Sequence, residues 1–192
     1  MNKTLVFIFL LIFINLHSVA EDSNFNYSFI QINHSKINQD NKFKENALIF
    51  SKSINDSIFF TSSFNKGRFY FDTIKTYSYS AGLGFNTSIN KITDLVYSLQ
   101  LAKSNEKNEL SGIESDQDTF NASIELKHII MSDLEISSSI NYTNLAILDN
   151  GRGHDMSYGI GVSWTLNERF SLISGLNHSD EKSLNIGVEL SL

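Results

Sequence analysis

His178, Ser179 and Glu181 place a base, a hydroxyl nucleophile and a carboxylate within four positions, the residue types of acyl transfer. Adjacent residues of a strand point to opposite faces, so His178 and Ser179 cooperate only where a strand has already ended. A polar loop edge accounts for them more simply. His154-Asp155, following Gly151-Arg152-Gly153, is a second set. Joined by His34 or His178 it would make a peptide-cleaving or metal site, but the spacing matches no metal motif. Glu106, Glu109, Glu114, Asp116 and Asp118 surround Lys107 in a third set that could share calcium or magnesium. A solvated charged loop explains the same residues without a cation. The expectation is a chain with no catalytic residue, no metal and no cofactor.

Composition narrows the classes further. The 192 residues contain no cysteine, which excludes a disulfide scaffold and any Cys-ligated zinc or iron–sulfur site. Fifteen Lys+Arg against 21 Asp+Glu leave a net charge of −6, the wrong sign for a nucleic-acid partner. A mean hydropathy of −0.13 fits no polytopic helical membrane protein.

The N-terminus reads as an export signal. Asn2 and Lys3 give a polar, positive start, and Leu5 to Ile14 is an unbroken apolar run too short to span a bilayer comfortably. Ser18-Val19-Ala20 supplies small residues at the two positions a signal peptidase reads. Residues 1–20 are therefore expected to be a cleaved signal peptide of the Sec pathway, with a membrane anchor as the alternative, and 21–192 one domain.

That domain alternates with a period of two, the mark of strands with one apolar and one polar face. Met156, Tyr158, Ile160, Val162, Trp164 and Leu166 oppose Ser157, Gly159, Gly161, Ser163 and Thr165. Tyr77 to Phe85, Leu95 to Leu101, Phe120 to Leu126, Leu134 to Tyr142, Phe170 to Leu176 and Leu184 to Leu192 repeat the pattern. Residues 24–33, 45–54 and 56–64 carry apolar residues on both faces but still read as strands. Ten strands are predicted, with eight as the alternative: 24–33, 45–54, 56–65, 74–87, 92–103, 117–129, 132–143, 154–166, 168–178 and 182–192. Short turns at Asn55-Asp56, Asn90-Lys91, Met131-Ser132 and Asn167-Glu168 alternate with longer polar loops at 34–44, 65–73, 104–116, 144–153 and 179–181. That layout, an even strand count and the absence of proline predict an all-β, up-and-down antiparallel transmembrane β-barrel, with turns in the periplasm and loops outside.

The polar face is crowded with serine and with Gly82, Gly84, Gly159, Gly161, Gly175 and Gly187. A narrow lumen explains small residues where open water does not, so the apolar face should meet lipid. Tyr77, Phe120, Tyr142 and Tyr158 then fall toward the outer ends, and Phe85, Trp164, Phe170 and Phe60 toward the periplasmic ends, as two aromatic belts. A turn near residue 131 brings Lys127 opposite Glu135 on the inner face, with Glu125 one pair further along and Glu189 facing inward from the last strand. Such inward charges must pair or meet water. A soluble lipocalin-like barrel or a sandwich is the competing fold, and it requires the apolar face inside.

Residues 24–192 resemble the small Gram-negative outer-membrane barrels of the porin-family and OmpA/OmpX-like group. The resemblance rests on the Phe25-Asn26-Tyr27 opening and on Asn or Asp turns leading into aromatic strands, as in Asn55-Asp56 before Ile58–Phe60 and Asn167-Glu168-Arg169 before Phe170. The alternating final strand is its third element. It implies that Leu184, Ile186, Val188, Leu190 and Leu192 are the signal read by the barrel-assembly machinery, although family members usually end in an aromatic. Barrels of this kind that deacylate lipid A carry His and Ser on one strand face, unlike the adjacent His178 and Ser179. The implied partners are outer-membrane lipid, lipopolysaccharide, the assembly machinery and periplasmic chaperones, and the expected state is a monomer. The expected function is structural or narrow-pore. An envelope enzyme, an adhesin-like binder and a soluble secreted barrel are its alternatives.

Overall fold

The computed structural model describes residues 24–37, 43–68, 73–145, 153–179 and 182–192. The expected signal peptide, Glu21, Asp22 and Ser23, Glu181, and parts of four of the predicted loops lie outside the described residues. Ten strands follow one another: β1 (Phe29–Ile37), β2 (Lys44–Ser53), β3 (Ile58–Arg68), β4 (Ile74–Asn90), β5 (Thr93–Asn108), β6 (Glu114–Met131), β7 (Leu134–Leu145), β8 (Gly153–Thr165), β9 (Phe170–His178) and β10 (Lys182–Ser191). Each pairs antiparallel with its sequence neighbours, and β1 closes on β10 from Phe29↔Ser191 to Ile37↔Ser183. This is the predicted ten-stranded up-and-down barrel, and the eight-stranded alternative falls away. Among the described residues none is helical.

Asparagine side chains set three of the four short connections, the β6–β7 turn at Ser132-Asp133 being the exception. Asn55 Oδ1 accepts the backbone N–H groups of Ser57 and Ile58 at 2.9 and 2.8 Å, and Asn167 Oδ1 those of Arg169 and Phe170 at 2.9 and 3.1 Å. Asn90 Oδ1 takes the N–H of Ile92 at 3.0 Å. An Asn carbonyl reaching two or three residues ahead replaces a ladder hydrogen bond and folds the chain back, which is why the turns recur at Asn.

Alternation decides inside from outside. Ile160 is 67% exposed, Trp164 50% and Val188 45%, so the apolar face looks away from the barrel axis. Leu48, Phe64, Leu83, Leu172 and Ile186 share that exterior. A soluble barrel would turn these residues inward, so the soluble reading is overturned. The small residues occupy the inner face because neighbouring strands fill their space. A Cβ on Gly84 would strike the Phe59 ring, and one on Gly159 would sit 2.5 Å from both Asn177 Oδ1 and Ser139 Oγ.

Three details depart from the sequence reading. Strand pairing starts at Phe29, not at residue 24: Asn24–Ser28 precede the ladder and turn inward, and β1 continues through His34–Ile37, expected as loop. The segment 104–116 is mostly ladder, with β5 and β6 pairing out to Lys107↔Glu114. β4, β5 and β6 are 17, 16 and 18 residues long against the roughly 10 a tilted strand needs to cross a bilayer. Finally, Lys127 pairs directly with Ser137, and Glu135 with Ile129, because the register shifts between Ile129 and Met131. Lys127 and Glu135 are therefore diagonal neighbours on the inner face, not directly opposed.

Candidate functional site

The lumen is built from strand positions that are small and polar almost throughout. Ser78, Ser80, Ser98, Ser123, Ser137, Ser139 and Asn141 line it, joined by hydrogen bonds such as Ser98 Oγ···Ser123 Oγ at 2.7 Å and Ser80 Oγ to Gln100 Oε1 at 2.8 Å. Hydroxyls suit this place because each can donate and accept, satisfying a neighbour strand while still meeting water.

The exception is the end where the short turns lie. There Asn26 folds the chain: its Nδ2 donates to Ser28 O at 2.9 Å and its Oδ1 accepts the Ser28 N–H at 2.8 Å. Phe25 and Tyr27 are thereby directed into the barrel, where they form an apolar cluster with Phe59, Val96 and the edge of Ile129. The Tyr27 ring stacks on Phe59 with centroids 5.0 Å apart and planes 14° from parallel. Its hydroxyl donates to Asp94 Oδ2 at 2.7 Å, and Ser51 Oγ donates to Tyr27 O at 2.8 Å. Asp94 and Ser51 are fully buried.

Lys127 is held beside this cluster. Its ammonium lies 3.2 Å from Glu135 Oε1, and 5.9 and 5.5 Å from the ring centroids of Phe25 and Tyr27. The predicted Lys127–Glu135 ion pair is thus present across a diagonal. Glu125 and Glu189 stand close enough to act on Lys127 electrostatically. A cavity of about 440 Å³ runs beside the four charged residues, bounded by Phe25, Ser139, Gly159, Asn177 and Asn185 among others. Among the described strand positions on the inner face, seven carboxylates, Glu45, Asp94, Glu106, Glu125, Glu135, Asp155 and Glu189, stand against a single cation, Lys127.

The other expected sites lie outside the lumen. Tyr77 and Tyr142 stand three positions from the loop ends of β4 and β7, Tyr158 five from that of β8, and Phe120 six from that of β6. Phe85 is five positions from the turn end of β4, Trp164 one from that of β8, and Phe170 opens β9. Leu184, Ile186 and Val188 are exposed on β10, Leu190 is half-buried, and the Leu192 N–H donates to Ser28 O at 2.9 Å. His34, His154 and His178 are exposed on the outer face of β1, β8 and β9. His34 Nδ1 lies 3.0 Å from Asn46 Oδ1, and the His154 ring stacks on Tyr142 at 6.3 Å. They do not converge on the barrel mouth, because alternation turns all three away from it.

Three of the five acidic residues of 106–118 are engaged by lysines. Lys75 pairs with Glu109, Lys107 with Glu114 at 2.5 Å and Lys103 with Asp116 at 3.2 Å, while Asn105 Nδ2 donates to Asp116 at 2.7 Å. The Lys75 ammonium holds the Glu109 carboxyl below the usual carboxylate range. Among the described residues no group of three His, Cys, Asp or Glu side chains has metal-binding geometry.

Sequence reasoning found Glu125, Lys127, Glu135 and Glu189 but missed Asp94, Phe59 and the inward turn of Phe25 and Tyr27. A signal was present: Phe59 beside Phe60 places an aromatic on each face, so one of them must point into the lumen.

No protein-family model matches the sequence, and no curated protein does. Solved structures do share the fold. The NanC porin superposes with a TM-score of 0.58 at 10% identity, over 85% of this chain and 100% of that one. The KdgM porin gives 0.51 at 10% identity over 85% and 99%, and Neisserial surface protein A 0.51 at 11% over 85% and 96%. The narrower likeness to OmpA and OmpX-like domains rests on sequence rhythm alone. At these identities the likeness is one of architecture: the chain is a closed, ten-stranded antiparallel barrel of the outer-membrane type.

Proposed function

We propose that this protein is an integral bacterial outer-membrane barrel whose narrow lumen passes small hydrophilic solutes, cations ahead of anions. The observation that carries the reading is the inversion of faces, with aliphatic and aromatic side chains outside and a Ser/Asn/Gly wall with a 440 Å³ cavity inside. Only acyl chains tolerate an exterior of that kind, and a polar interior has no role in stabilising a dry core. Ten strands lie between packed eight-stranded barrels and open sixteen-stranded porins, so the passage is narrow. Seven inward carboxylates against one ammonium among the described residues favour cations in a low-dielectric lumen. The two neighbours that bear the name porin support the pore reading by fold. In this reading the short turns face the periplasm after Sec export, and the β5–β6 hairpin stands outside. The tyrosines near the loop ends and Trp164, Phe170 and Phe85 near the turn ends anchor the two interfaces. The β10 residues Leu184 to Leu192 guide assembly, and the chain works as a monomer without enzymatic activity.

The test is conductance of refolded protein in a planar bilayer across a potassium chloride gradient. Discrete current steps with a reversal potential of cation-selective sign are expected. A bilayer that stays silent both with the unaltered barrel and with Phe25→Gly plus Tyr27→Gly overturns the pore reading, and anion selectivity overturns the solute class.

A second reading, surface contact through the β5–β6 hairpin, is favoured by its tip: Leu110 is 83% exposed and Ile113 68%. Leu110→Asp with Ile113→Asp should then abolish adhesion of cells bearing the protein while leaving conductance unchanged.

A further inference from the structure

We propose that Asn24–Tyr27 form a plug seated in the turn end of the lumen, and that its withdrawal opens the polar cavity behind it. The proposal rests on the pore reading above for its purpose, though not for its geometry. A segment that merely preceded β1 would extend the ladder with β2 or β10. Here pairing with both neighbours begins at Phe29, and the preceding chain bends into the barrel instead. Ser28 is the hinge, its carbonyl accepting the Leu192 N–H at 2.9 Å and its hydroxyl oxygen accepting the Ser53 N–H at 3.1 Å.

Beyond that hinge side chains grip the segment where a strand would have a backbone ladder. Tyr27 is stacked on Phe59 and bonded to Asp94, Ser51 holds its carbonyl, and Asn24 Nδ2 donates to Lys91 O at 2.6 Å at the rim. The Lys127 ammonium, fixed by Glu135, lies over both plug rings. These contacts fall on β2–β6, whereas the cavity follows the wall from β6 round through β10 to Phe29 and Gln31 of β1, with Asn24, Phe25 and Asn26 closing it on the plug side. The plug therefore leaves the ten strand pairings intact when it moves. Two large rings brought into a lumen wall rich in serine, asparagine and glycine have no role in strand pairing. A stopper that hides its apolar surface only when seated accounts for both.

The chain has no cysteine, so a single Ser139→Cys in the cavity wall reports access to a thiol reagent. Ethylammonium methanethiosulfonate labelling and potassium chloride conductance are measured on the refolded full barrel, with and without Phe25→Gly plus Tyr27→Gly. Should that pair prevent folding, Tyr27→Phe with Asp94→Asn loosens the grip while keeping both rings. The expected result is at least tenfold faster labelling, or at least a fivefold rise in conductance. Faster labelling with no current in any variant leaves the plug standing and removes the pore reading. Unchanged labelling and unchanged current in a folded variant overturn the plug, whatever current the unaltered barrel carries.

Discussion

The Tyr27 hydroxyl donates a 2.7 Å hydrogen bond to Oδ2 of Asp94, joining residues 67 positions apart inside the turn end of the barrel. A buried hydrogen bond to a charged acceptor contributes about 1.5–3 kcal/mol, more than an exposed one, because neither partner has water to fall back on. Tyr27→Phe removes the donor and keeps the stacked ring. It should lower stability to urea unfolding in lipid vesicles by about 2 kcal/mol. A loss below about 0.5 kcal/mol would show that water replaces the phenol freely.

Lys127 and Glu135 are 18% and 25% exposed, between the surface and buried limits for an ion pair. Their coupling should accordingly be about 2 kcal/mol in a double-mutant cycle of Lys127→Gln and Glu135→Gln. The two changes should also move selectivity in opposite directions. Loss of the ammonium strengthens cation preference, and loss of the carboxylate weakens it, as read from reversal potentials.

Gly84 and Phe59 occupy the same space from adjacent strands, so any side chain at 84 must displace the ring. Gly84→Ala should cost about 1–3 kcal/mol through overpacking. Adding Phe59→Leu should recover part of that loss, since neighbouring changes are not additive. Additive losses in urea titrations would mean that the two residues do not share a site.

Ile160 lies near the middle of β8 on the outer face. Ile160→Lys should cost about 2–4 kcal/mol of folding free energy in vesicles, the penalty for a lysine at the bilayer midplane. The same change in a water-exposed strand would be close to neutral, so a small effect argues against a lipid-facing exterior.

Glu109 is a separate, pH-dependent tie at the hairpin. Its hydrogen bond and charge contact with Lys75 lower its carboxyl pKa, and desolvation opposes them more weakly. A depressed folded-state pKa adds stability above the ordinary carboxyl range and loses it as pH falls through the folded value. The hairpin tip, where the Glu109 N–H bonds to Thr73 O at 2.7 Å, should lose amide-exchange protection on acidification below the carboxyl range. Glu109→Gln should abolish that dependence, with global stability barely changed because the pair is exposed.

Legibility in the sequence followed what alternation encodes. The ten strands, the outward face and the inward Glu125, Lys127, Glu135 and Glu189 were all readable, because a period of two assigns every side chain once the outer face is known. The Phe25-Asn26-Tyr27 stretch alternates as a strand does, and nothing local says that its partners are side chains and not a ladder. The ends of β5 and β6 failed in the other direction. Lys103, Asn105 and Lys107 face Asp116 and Glu114 across a true ladder, but charged outer faces look like loop where strands rise above the apolar band. The diagonal placement of Lys127 on Glu135 depends on the irregularity between Ile129 and Met131, and a one-residue register shift leaves no mark in composition.

The seam between β1 and β10 carries one more implication. Phe29 meets Ser191, so the first ribbon made by the ribosome waits for the last before either has two partners. Until then the nascent sheet has two raw margins and a greasy back, a combination prone to sticking to other chains. A polypeptide stopped short of Lys182 would lack its clasp altogether and should be cleared by proteases. Closure of this barrel is all or nothing, decided by the ten residues of β10.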